Sequence, residues 1–120
     1  MATEAAKKVA VMMSTYNGEL YIEEQIESIL QQPGVDVFLY IRDDGSSDGT
    51  LRILQKYSST DKVHIQYGKH IGIGNSFMEL LWSLPDTYDY YSFSDQDDIW
   101  EKRSNTGKKE RRDHDQRNAF

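Results

Sequence analysis

VDVFLYIRDDGSSDGT, residues 35–50, contains the turn on which the fold is read. Its first part is an apolar, β-branched and aromatic run that reads as a strand, and the strand ends in Asp43 and Asp44. Gly45 then bends the chain, and Ser46, Ser47 or Asp48 can cap a helix from about 48 to 58 whose inner face carries Leu51, Leu54 and Tyr57. A strand that runs through an acidic turn into a helix is half of a β-α-β unit, and it predicts parallel neighbours.

The same alternation continues in both directions. Upstream, KVAVMMST (8–15) reads as a buried strand. Residues 19–31 then place Leu20, Ile22, Ile26, Ile29 and Leu30 at helical spacing, until Pro33 and Gly34 stop the helix. Downstream, KVHIQY (62–67) is a shorter strand and GKHIGIGN (68–75) a glycine-rich loop. Phe77, Met78, Leu80, Leu81 and Leu84 form a third amphipathic face ending near Pro85, and DYYSFSD (89–95) is a fourth strand. The fold class is therefore α/β, with a mostly parallel sheet flanked by helices.

The 120 residues, 38% of them hydrophobic, suffice for one compact domain. The absence of cysteine excludes disulfides and thiolate metal sites. No apolar stretch approaches the roughly 20 residues that cross a bilayer, and MATEAAKK lacks a signal-peptide core, so a soluble, cytoplasmic protein is expected, with peripheral attachment to the inner face of the membrane as the variant. The net charge of −6 is uneven: 7 Lys and Arg stand against 16 Asp and Glu up to residue 100, and 7 against 4 after it. Residues 1–100 are read as the folded unit. Residues 101–120, basic and almost without apolar side chains, are read as a disordered or non-native tail. An acidic domain is a poor nucleic-acid binder, and no nucleic-acid partner is expected.

In open parallel sheets ligands bind beyond the carboxyl ends of the strands. The polar clusters fall at those ends: Ser14 to Gly18, Asp43 to Asp48, and Asp95 to Asp98. Adjacent strand residues point to opposite faces, so only one of Asp43 and Asp44 can face a ligand while the other turns to backbone or solvent. Asp44, Ser46, Asp48 and Gly49 match the start of an EF-hand calcium loop, but Gln55 stands where the bidentate glutamate belongs, and that reading fails. In SDQDD (94–98), like charges about 4 Å apart repel by roughly 4 kcal/mol at an effective dielectric near 20, so a cation is the economical neutraliser. An oxygen-only set too small to enclose an ion suits Mg²⁺ or Mn²⁺. Gly72 and Gly74 form an incomplete dinucleotide fingerprint, because Phe77 stands where its third glycine belongs. His64 and His70 read as a packing and a loop histidine, and Trp82 as helix packing.

Together, a first strand ending in STYN, a second ending in DDGSSDGT, the loop HIGIGNSF and a fourth strand ending in FSDQDDIW resemble the nucleotide-binding half of inverting family-two glycosyltransferases with the Rossmann-like GT-A fold. SDQDDIW is similar to the rhamnosyltransferase-type members that build bacterial cell-surface polysaccharides. The resemblance covers residues 8–100, and it implies a nucleotide-sugar donor, UDP- or dTDP-linked, and a glycan or lipid-linked acceptor. It implies that Thr15, Tyr16 and Asn17 line the nucleotide pocket, with Tyr16 stacking on the base. Asp44, with Asp43 as the alternative, would accept the base ring NH. Asp95 would approach the ribose or the metal shell, and Asp97 would bind the Mg²⁺ or Mn²⁺ of the DxD motif.

The family's catalytic base lies well beyond the DxD, so the resemblance leaves the catalytic residue unknown. The chain is expected to be a truncated donor-binding fragment that binds nucleotide weakly and transfers no sugar; turnover by the 120-residue chain would refute this. Its exposed truncated face would favour self-association. A non-catalytic nucleotide- or metal-binding module would keep the fold without the transfer chemistry, and nucleotide binding that is independent of metal, or absent, would favour it. A sugar nucleotidyltransferase would need a basic phosphate loop after the first strand, which STYNGELY lacks.

Overall fold

A computed structural model describes residues 6–94. The expectations for the Asp95 to Asp98 cluster and the 101–120 tail lie outside these residues. Seven elements alternate: β1 (Lys7–Thr15), α1 (Ile22–Leu30), β2 (Val35–Asp44), α2 (Thr50–Gln55), β3 (Val63–Gly68), α3 (Ile73–Ser83) and β4 (Tyr90–Ser94). The strands form one all-parallel sheet in the order β3-β2-β1-β4. β1 is central, and its Ala10, Val11, Met12 and Met13 are all fully buried, as expected for a strand covered on both faces.

The pleat assigns side chains to two layers. Val11, Met13, Val37, Leu39, Ile41 and Val63 face one way and pack with Ile22, Ile26, Ile29 of α1 and Leu54 of α2. On the other face α3 buries Ser76 and Leu80, and its Phe77 ring lies 4.7 Å from Phe93 of β4. Gln25 of α1 donates to the Ser94 hydroxyl at 3.2 Å, tying the end of β4 to the first layer.

Three helices depart from the periodicity for identifiable reasons. α1 starts at Ile22 rather than 19, because the Gly18 carbonyl collects the NH groups of both Tyr21 and Ile22 and closes a turn; Leu20 is left 86% exposed. α2 is shorter than 48–58, since Tyr57 and Ser58 bond back three residues rather than four and tighten the chain out of the helix. Ser46 and Ser47 do not cap it; the Asp48 carboxylate takes the Thr50 NH at 2.9 Å. α3 begins at Ile73, inside the glycine-rich stretch, because Gly72 at φ 93 makes the sharp entry. Trp82, read as helix packing, is instead 79% exposed, on the outer side of α3.

Candidate functional site

Parallel pairing puts Thr15, Asp43 and Tyr67 in one register row at the carboxyl edge, with Ser14, Arg42 and Gln66 in the row before it. The chain steps outward from β1 to β2 and β3 and then returns past β1 to β4, so the switch point of the topology lies between the carboxyl ends of β1 and β4. Thr15, Tyr16 and Asn17 leave the sheet at this point, next to Asp43 and Asp44. The first two polar clusters of the sequence therefore meet on one rim, while Asp95 and Asp97 belong to the residues not described.

Hydrogen bonds stitch the two loops together. The Asn17 NH donates to the Ser46 hydroxyl at 2.8 Å, and the Ser47 NH to the Asn17 side-chain oxygen at 2.7 Å. The Gly18 NH reaches the Thr50 hydroxyl, the Glu19 NH reaches Asp48, and the Gly49 NH returns to Glu19. Asn17 adopts φ 50, the left-handed region that asparagine tolerates, and this aims its side chain across the gap. The serines of DDGSSDGT thus hold the rim loops in register.

The two aspartates do point to opposite faces, and both turn to the backbone. Asp43 Oδ2 accepts the NH groups of Gly45 and Ser46 at 3.1 and 2.9 Å, and Oδ1 accepts the Ser46 hydroxyl at 2.6 Å, an Asx turn that fixes the bend. Asp44 faces α3. Its Oδ1 accepts Arg42 Nη1 at 2.7 Å and the Ile71 NH at 2.8 Å, and its Oδ2 accepts the Gly72 NH at 3.0 Å and lies 3.0 Å from His70 Nδ1. Three hydrogen bonds and the adjacent His70 ring nitrogen, which also bonds the Asp44 backbone oxygen at 3.3 Å, enclose the carboxylate.

Burial by itself pushes the Asp44 carboxyl upward, yet the Ile71 NH, the Arg42 guanidinium, the Gly72 NH and the charge of His70 together hold it below the ordinary carboxylate value. A depressed folded-state value contributes stability that is full above the unfolded pKa, about 4, and is lost as pH falls through the folded value. Acid titration below about pH 4 should therefore release the 68–72 loop. The Ile71 and Gly72 amide resonances are the readout; a change in their shifts that sets in above about pH 4 would contradict the assignment.

Sequence reasoning missed Arg42. Its guanidinium is buried and reaches Asp44, the Ser76 hydroxyl at 3.2 Å and the Lys69 carbonyl at 3.3 Å, while Ser14 bonds Ser76 at 2.7 Å. An arginine one residue before two aspartates, in the last turn of a strand buried on both faces, was the available signal: it had to find a buried partner. Gly68 of β3 makes the space, since a side-chain carbon there would overlap the guanidinium. His70 was likewise undervalued, for its ring stands 4.3 Å from that of Tyr16. Among the described residues, no three His, Cys, Asp or Glu are grouped to hold a metal ion. No described helix is long and apolar enough to cross a membrane.

Comparisons with known proteins bear on this geometry. The family described as Glycosyl transferase family 2 matches residues 10–105. The dTDP-rhamnosyl transferase RfbG of Shigella flexneri is 44% identical over 95 residues, covering 75% of this chain and 33% of that protein. The chondroitin synthase of Escherichia coli is 41% identical over 69 residues, covering 57% of this chain and 10% of that protein. The crystal structure of S. aureus TarS 1-349 in complex with UDP superposes with a TM-score of 0.65 at 28% identity, over 75% of this chain and 27% of that one. A mannosyltransferase from Pyrobaculum calidifontis gives 0.73 at 21% identity over 86% of this chain and 31% of that one, a likeness of fold alone. The chain spans about a third of the length of RfbG.

Proposed function

Because this chain belongs to glycosyl transferase family 2, we propose that it forms the donor-binding part of an inverting, metal-dependent transferase that moves a sugar from a uridine or thymidine diphosphate to a glycan or lipid-linked acceptor of a bacterial surface polysaccharide. One observation carries the reading: the Thr15–Asn17 segment, the Asp43–Ser46 turn and the 68–72 loop converge on the carboxyl edge of a parallel sheet, beside the switch point at the end of β1. The 44% identity to a dTDP-rhamnosyl transferase and the likeness to a UDP-bound structure support the class of donor.

Within the rim, Thr15, Tyr16 and Asn17 line the nucleotide, and the half-exposed Tyr16 ring stacks on the base. Asn17 acts through its bonds to Ser46 and Ser47, keeping the floor of the pocket closed. Of the two aspartates, Asp43 takes the base ring NH, since Oδ1 accepts one donor from the protein and has capacity for another, whereas Asp44 is committed to Arg42, Ile71, Gly72 and His70.

Asp95 and Asp97 are the proposed holders of Mg²⁺ or Mn²⁺, an ion that would neutralise charge on the departing nucleoside diphosphate. Both lie outside residues 6–94, and the oxygen-only chemistry of SDQDD is what fits them to such a cation. The acceptor hydroxyl would attack the anomeric carbon opposite the leaving phosphate and give up its proton to a base. No residue among 6–94 is assigned that role. We place the protein in the cytoplasm, at the inner face of the membrane where a lipid-linked acceptor is carried. Ile73, Met78 and Trp82 of α3 are exposed apolar residues through which two copies would associate.

Calorimetric titration of the chain with UDP and dTDP tests the reading. Binding in the presence of Mn²⁺ is expected, with Asp97→Ala abolishing the metal dependence. Asp43→Ala is expected to weaken binding about tenfold or more, as for a lost hydrogen bond to a charged group. No binding of either diphosphate by the wild-type chain, with or without metal, would overturn it.

A further inference from the structure

We propose that His70 is a positioning residue for nucleotide recognition: it backs the Tyr16 ring and ties that ring to the buried Asp44 anchor, so that the base meets an aromatic surface set before binding. The inference rests on the reading of the rim as a nucleotide site. Three observations meet at this side chain. Its ring centroid lies 4.3 Å from that of Tyr16 with the planes tilted by 37°, within the range of a favourable aromatic contact. Its Nδ1 lies 3.0 Å from Asp44 Oδ2 and 3.3 Å from the Asp44 backbone oxygen, and because both oxygens only accept, the proton on Nδ1 points at Asp44 and orients the ring. Its backbone is fixed as well, for the next two NH groups, of Ile71 and Gly72, both end on the Asp44 carboxylate.

Tyr16 reaches this ring from a different part of the chain. It follows the last residue of β1 and precedes Asn17, whose left-handed backbone turns the chain away. The Tyr16 side chain crosses from the end of β1 to the 68–72 loop beyond β3, spanning the end of β2, and His70 is the ring it meets there. Both residues stay partly exposed, at 43% for Tyr16 and 58% for the His70 side chain, so the pair is open on the ligand side of the rim. A free tyrosine would lose rotamer freedom on stacking with a base; a tyrosine already packed against His70 has lost it beforehand.

The test compares UDP with inorganic pyrophosphate, which lacks a base, on the 120-residue chain and two variants, by calorimetry with Mn²⁺. His70→Ala should weaken UDP binding about three- to tenfold, the usual worth of one aromatic pair, and leave pyrophosphate binding unchanged. His70→Phe keeps the ring without the Asp44 bond, and should recover most of the UDP affinity. Equal UDP affinity for His70→Ala and wild type would overturn the inference, as would a parallel loss of UDP and pyrophosphate binding, which would make His70 a general support of the loop. A wild-type chain that binds no nucleotide sinks the function proposed above instead.

Discussion

Arg42→Ala is expected to destabilise the fold by about 3–5 kcal/mol, the usual cost of removing one partner of a buried ion pair. The Asp44 carboxylate would remain in a site with almost no solvent exposure, while Ser76 and the Lys69 carbonyl would each lose a donor. A domain of this size holds only about 5–15 kcal/mol in total, so a fall in melting temperature of about 10 °C or more should be visible by circular dichroism. Arg42→Lys should recover only part of the loss, because an ammonium cannot span Asp44, Ser76 and Lys69 from one stem as the guanidinium fork does. A melting temperature within 2 °C or so of wild type for Arg42→Ala would show that the ion pair does not hold the rim.

The second large effect is expected at Gly45, and Gly34 provides its control. Both glycines adopt φ 84, so an alanine at either pays about 1–2 kcal/mol for the left-handed backbone. They differ in what surrounds them. A Cβ at Gly34 meets nothing within 4 Å, whereas one at Gly45 would stand 2.8 Å from the His70 backbone nitrogen. Separating two backbones that are each held by an aspartate adds about 1–3 kcal/mol, so Gly45→Ala should cost more than Gly34→Ala by about that amount in urea denaturation. Gly45→Ala should also weaken UDP binding, since pushing the 68–72 loop outward moves His70 away from Tyr16. Equal losses for the two alanine variants would remove the close approach as a cause.

Strand order along the chain, the α/β class and the clustering of polar residues at strand ends were all legible without coordinates. They follow from local rules: β-branched runs, helical spacing, and glycine with aspartate at turns. β2 falls on residues 35–44 as read, because both ends carry strong punctuation, Pro33-Gly34 before it and Asp44-Gly45 after it. Helix starts were read less well. The true ends depend on what each loop bonds to, and α1 surrenders Glu19 and Leu20 to a turn that faces the loop after β2.

The candidate site divides in the same way. Which residues gather at the rim could be taken from the chain, since parallel pairing carries every strand end to one edge. What Asp43 and Asp44 do there could not. Adjacent carboxylates look equivalent in a sequence, and their roles separate only when one folds back on its own turn while the other crosses to Arg42, Ile71 and Gly72, residues up to 28 positions away. Local preference is written residue by residue, whereas the commitment of a buried charge depends on which donors the packing of α3 against β1 and β2 brings within about 3 Å.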